Sequence, residues 1–186
     1  MTDRSRRATF ASSASSEFSP RKRQALPMQP SSDLSLTELP AVLPNSDHRR
    51  RLVHADGRQG VVVNGDRIEF QFSGGAYTVL ATSYDYFEGC DHWIYLLGRS
   101  GEVLDLIAMP YVFGFVEEAT VVSPHELKFG YFGTNDRWDL TVHESGYWSF
   151  SVASLARRRN RFFLSKRRLS LRHVQSHIRR YRSTKA

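Results

Sequence analysis

One cysteine, Cys90, is all the chain contains in 186 residues. A single thiol can neither close an internal disulfide nor complete a multi-cysteine zinc or iron–sulfur site. It therefore points to a reducing compartment, cytoplasmic or, in a eukaryote, nuclear. No apolar run approaches the roughly 18 residues needed to cross a bilayer, and the first thirty residues lack the continuous apolar stretch of a signal peptide. Their Arg/Ser-rich composition overlaps that of an organelle transit peptide, but Asp3 and Glu17 weigh against that reading. Also missing are a phosphate-cradling Gly-rich loop, an HExxH zincin motif and a GxSxG nucleophile elbow. No catalytic residue, metal or cofactor is assigned on these grounds, and the chain reads as non-enzymatic.

Acidic residues are missing from one region altogether: none follows Glu144. The net charge of +7 is accordingly uneven, about +3 over residues 1–50, −8 over 51–144 and +12 over 145–186. Such asymmetry implies either a polyanion-binding tail or attraction between the parts of the chain.

What is present divides the chain into three. Residues 1–49 form a Ser/Pro/Arg-rich arm without sustained periodicity, expected to be disordered. Within it "DLSLTELPAVLP" holds enough apolar residues for a short docking segment or one helical turn, or serves as a linker. Residues 50–153 are an acidic domain of short β-rich runs separated by turn residues, the spacing of an all-β fold. Eight or nine short strands are expected, an antiparallel meander forming a sandwich or partly open barrel.

In "RIEFQF" Ile68, Phe70 and Phe72 share one strand face, and the preceding Asn64-Gly65-Asp66 predicts a hairpin joining it to "VVV". Further turns are expected at Gly74-Gly75, Gly98 to Gly101, Ser123-Pro124, Gly133 to Asp136 and Glu144 to Gly146. The last of these would separate two strands whose inward faces are Trp138, Leu140 and Val142, then Trp148, Phe150 and Val152.

Residues 154–186 are a basic tail. Leu171, Val174, Ile178 and Tyr181 fall at i, i+3, i+7 and i+10, which predicts an amphipathic helix that Ser170 would N-cap. Ahead of it Arg157, Arg158, Arg159, Arg161, Lys166, Arg167 and Arg168 surround Phe162 and Phe163, a mixture suited to phosphate contacts and base stacking. The competing expectation straps the tail across the acidic body; a membrane-surface role is disfavoured by the small apolar area of the stripe.

Three other groups invite chemistry. Cys90 and His92 would share a face of an extended segment, one recipe for an activated thiolate, though a small residue in a hairpin loop reads as well. Asp85, Glu88, Asp91, Glu117 and Glu118 offer an acidic face for a basic protein partner; the loop carboxylates match no calcium-loop signature. His173 and His177, four apart, lack a third zinc ligand. The expected function is an interaction module whose acidic domain meets a protein and whose tail binds nucleic acid or another polyanion. The alternative is an immunity-type inhibitor neutralising a basic enzyme such as a nuclease, its tail packed on its own fold.

Overall fold

The computed structural model describes residues 27–39, 48–87, 89–112, 114–132, 134–149 and 165–175. They form twelve strands: β1 (Gln29–Pro30), β2 (Leu34–Glu38), β3 (Arg49–His54), β4 (Gln59–Asn64), β5 (Arg67–Gly74), β6 (Tyr77–Tyr86), β7 (Gly89–Gly98), β8 (Val103–Val112), β9 (Val116–Ser123), β10 (Glu126–Tyr131), β11 (Asp136–Ser149) and β12 (Ser165–Gln175). No helix occurs among the described residues. The strands make three antiparallel sheets, ordered β1-β5-β6-β7-β8, β12-β11-β10-β9 and β2-β3-β4. Apart from β1, neighbours in sequence are neighbours in the sheet, so the meander expected from the turn spacing is present in each.

The five-stranded sheet lies between the other two. Val79, Ala81, Ile94 and Leu96 pack with Leu127, Phe129, Leu140, Val142 and Leu169 of the four-stranded sheet. One residue further along the same strands, Leu80, Tyr95 and Leu97 pack with Leu34, Leu52 and Val63 of the three-stranded sheet. Because successive side chains point to opposite faces, β6 and β7 must be apolar at nearly every position to serve both layers. Their runs "YTVLAT" and "WIYLLG" have that composition.

Several sequence expectations change at this level. The Asn64-Gly65-Asp66 turn is a corner between sheets, since β4 belongs to the three-stranded sheet and β5 to the central one. Gly65 takes φ = 100°, and a Cβ there would lie 2.8 Å from the Thr82 side chain, so only glycine fits. Its N–H and that of Asp66 donate to the carbonyls of His48 and Ser83, tying the corner to both layers.

Glu144 to Gly146 is not a reversal either. The chain continues as one long strand, β11, with a bulge where pairing to β12 jumps from Val142↔Leu169 to Tyr147↔Arg167. The slip re-aims everything beyond it: Leu140 and Val142 are buried and Trp138 half-buried as expected, but Trp148 is 60% exposed. Phe150 and Val152 lie outside the described residues.

The predicted helix is the third correction. Residues 165–175 form β12, paired with β11, and Ser170 caps nothing. Leu169 and Leu171, two apart, face the core as a strand requires, whereas Val174 of the helical stripe, three beyond Leu171, falls on the other face and is partly exposed. Ile178 and Tyr181 lie outside the described residues. Of the arm expected to be disordered, Met28 is buried in the main core and Leu34 in the second, with β1 and β2 added to sheet edges. Residues 1–26 lie outside the description.

Candidate functional site

β12 binds the body through charge as well as through the leucines. Arg167 sits almost buried, its Nε 3.2 Å from the carboxylate of Asp105 on β8 and its Nη2 donating to the Leu106 carbonyl at 3.1 Å. The same Asp105 oxygen accepts the backbone N–H groups of Arg168 and Leu169 at 2.7 and 2.9 Å. Further along, Arg172 pairs with Asp139, and His173 Nε2 lies 2.7 Å from Asp136 with its ring against Trp138. Arg167 is therefore an internal group and not the free phosphate ligand expected of it. Arg168 is half-buried, its guanidinium donating to the Glu144 carbonyl, while Lys166 is exposed. Arg157, Arg158, Arg159 and Arg161 lie outside the described residues.

Where these four stand in the topology is nonetheless fixed by their flanks. Ser149 pairs with Ser165 and Trp148 with Lys166, so residues 150–164 connect two neighbouring strands of one sheet. The basic stretch is a hairpin connection rather than a free tail. At its root the exposed Trp148 stands cross-strand from the exposed Lys166.

A polar cluster is buried at the opposite end of the sandwich. Register shifts in the β5–β6 pairing from Ile68↔Thr82 to Phe70↔Ala81, leaving Glu69 as the extra residue of a bulge. Its carboxylate, 4% exposed, turns inward to accept bonds from Ser83 Oγ and, at 3.2 Å, from the Val116 N–H, and it pairs with Arg67 at 2.6 Å. Ser83 lies directly opposite His92 on β7. The imidazole is buried edge-on against Tyr131, its Nε2 3.2 Å from the Gly114 carbonyl. That oxygen can only accept, so Nε2 carries the proton and Nδ1 is a bare acceptor with no partner among the described residues.

Burial dominates the titration of Cys90 and His92. It pushes the Cys90 thiol up to about 11, with Asp85 and Glu69 adding to the effect, and lowers the His92 pKa. A protonated, buried thiol beside a neutral imidazole is the reverse of an activated thiolate–imidazolium pair.

Above the cluster, the backbone of residues 114–116 is fastened by His92 and Glu69. Phe115 beside it receives the Arg67 guanidinium at 4.0 Å over its ring, and its carbonyl accepts the Phe132 N–H at 2.8 Å. Gly114 lies so close to the Phe132 carbonyl that a Cβ would sit 2.5 Å from it. Phe115 and Phe132 are 39% and 66% exposed, an aromatic pair on neighbouring turns. Sequence reasoning missed them; the signal available was aromatic residues beside glycine in "FGF" and "YFGT", where no strand face needs them.

The acidic residues do not assemble as one face. Asp85 pairs with Cys90 and Asp91 with Tyr84, placing the two aspartates on opposite sides of the central sheet. Glu117 and Glu118 are exposed together because β9 bulges between its pairings Ala119↔Phe129 and Val116↔Tyr131, and Glu117 lies 4.0 Å from Arg137. Glu88 and His177 lie outside the described residues. Among the described residues no three metal-ligating side chains converge. A cleft beside Asp33, His54 and Arg99 holds about 190 Å³, short of the roughly 300 Å³ at which ligand sites begin.

No protein-family model, curated protein or solved structure matches this chain.

Proposed function

We propose that this chain is a non-enzymatic interaction protein that binds nucleic acid or another polyanion through the β11–β12 hairpin. The observation that carries the reading is the exposed Trp148–Lys166 pair at the hairpin's root, from which the chain runs into Arg157, Arg158, Arg159 and Arg161 with Phe162 and Phe163. Closely spaced guanidinium groups neutralise phosphates and release counterions, while aromatic rings give bases a stacking surface. The body does not compete for these charges with the carboxylates already engaged: Asp105, Asp139 and Asp136 hold Arg167, Arg172 and His173.

Changing Arg157, Arg158, Arg159 and Arg161 together to Ser tests the proposal on a heparin or single-stranded DNA column. The expected outcome is elution at markedly lower salt, with the slope of log affinity against log salt falling by about 0.7 for each single-strand phosphate that is no longer neutralised. Unchanged retention would overturn the reading. The second reading, neutralisation of a basic enzyme by an acidic surface, has in its favour the joint exposure of Glu117 and Glu118 beside Phe115 and Phe132. It expects retention that is indifferent to those arginines.

A further inference from the structure

We propose that His92 is an acid-operated latch: its protonation releases residues 114–116 from the end of the main core and uncovers Cys90, while the rest of the sandwich stays folded. The imidazole is 1% exposed and committed on one side, its Nε2–H donating to the Gly114 carbonyl at 3.2 Å. A second proton has only Nδ1 to go to, and that atom is buried with no acceptor in reach among the described residues. Charging it in place leaves an unsatisfied N–H on a buried cation, a cost that drives the ring toward water.

Among the described residues the surroundings do not supply the missing partner. From β5, Glu69 has both carboxylate oxygens in use, one accepting from Ser83 and Arg67 and the other from the Val116 N–H. Arg67 brings a positive charge of its own. β6 contributes the Ser83 hydroxyl, already given to Glu69, and Asp85, which is exposed. On β7, Asp91 lies on the other face and accepts from the Tyr86 hydroxyl at 3.3 Å, and Cys90 is a protonated thiol. β8 places the apolar Met109 opposite His92, and β10 sets Tyr131 edge-on to the ring, its phenol pushed up by burial. Burial outweighs the pull of the Glu69 and Asp91 carboxylates, so the imidazole stays neutral to lower pH than it would in water.

Release is local because the latch stands at the rim of the sandwich. β7 and β9 begin there and β10 ends. The segment it holds reaches the surface, with Phe115 exposed. Val79 and Leu96 pair with each other farther along the central sheet and are not disturbed. Openings confined to such a segment cost less than global unfolding. Cys90, two residues before His92 on the same face of β7, lies opposite Val112, from which the chain runs into residues 114–116. Lifting that segment opens the way to the thiol.

Reaction of Cys90 in the full chain with a pyridyl disulfide, its rate divided by that of free cysteine at each pH, tests the latch. Once released, the ring titrates near its ordinary value of about 6.5, so opening takes up a proton as the pH falls through that value. The normalised rate is expected to climb toward the linkage limit, about thirtyfold between pH 7.5 and 5. In hydrogen exchange corrected for its intrinsic pH dependence, the peptide holding residues 114–116 should lose protection in step, and peptides from β6 and β11 should not. His92→Gln keeps a bond to Gly114 and cannot titrate, so its normalised rate should stay level and low. His92→Leu loses the bond as well and should react fast at every pH, again without a slope. A level rate in the parent overturns the proposal. So does a rise that either variant shares, which makes another group the sensor, or a rise that comes with loss of protection in β6 and β11, which is global unfolding.

Discussion

At the residue scale, Arg167 and Lys166 show how little sequence adjacency says about role. Both belong to one basic run whose composition suits phosphate binding, yet one guanidinium is almost buried against Asp105 and its neighbour is in solvent. Arg167→Met leaves that carboxylate buried beside a neutral chain and is expected to cost about 3 to 5 kcal/mol, whereas Lys166→Ala should stay within about 0.5 kcal/mol. Urea unfolding of the two variants checks the contrast. His92 gives a pH signature. Its folded pKa lies below the unfolded value of about 6.5, so the unfolded chain binds the extra proton as the pH drops. The contribution is fully present above about pH 6.5 and is lost below it, by up to about 1.4 kcal/mol per pH unit. His92→Gln, able to keep a bond to the Gly114 carbonyl, should flatten the corresponding part of the stability profile between pH 7 and 5.

At the scale of one element, β11 decides which tryptophan matters. Period-two alternation identifies Leu140 and Val142 as core residues, and it holds up to the bulge; there four residues of β11 stand against one of β12, three of them extra, and the parity counted from Val142 no longer tells which face Trp148 takes. Leu140→Ala is expected to cost about 2 to 5 kcal/mol. Trp148→Ala should leave the melting temperature nearly unchanged and weaken single-stranded DNA binding by about 1 to 3 kcal/mol, the worth of one base stack. Thermal melts and a binding isotherm on the same two proteins separate the effects. A bulge of this kind is hard to foresee, because Ser145-Gly146 satisfies a tight turn equally well and only the arrival of β12 as the partner of both halves selects the continuous strand.

Across the whole molecule, the strand that closes the four-stranded sheet comes from the region whose composition sets it apart as a tail. Leu169 completes the core between sheets, and Asp105 links β12 to the edge strand β8. A chain ending after Leu164 should therefore lose cooperative unfolding, while one ending after Gln175 should retain it. Denaturant curves followed by tryptophan fluorescence report the difference. Of the sites named from sequence, Arg157, Arg158, Arg159 and Arg161 lie outside the described residues, the acidic residues are divided between two faces and two sheets, and the Cys90–His92 pair is buried, its thiol protonated and its imidazole neutral.

Composition and alternation by themselves determined the all-β class, the hairpins β5–β6, β7–β8 and β9–β10 and core positions such as Phe70, Phe72, Leu140 and Val142, because burial on a pleated strand imposes a period of two that the side chains record directly. The exposure of Phe115 and Phe132, the role of Gly65 as a corner and the seat of β12 were decided by tertiary structure. Each depends on which distant strand arrives as a neighbour: Thr82 and Ser83 against Gly65, Phe132 against Gly114, β11 against β12. Leu171 and Val174, three apart, suited a helical stripe, whereas Leu169 and Leu171, two apart, suited a strand. An unpaired edge on β11 and a buried carboxylate at Asp105, both remote in sequence, made the strand the lower free energy.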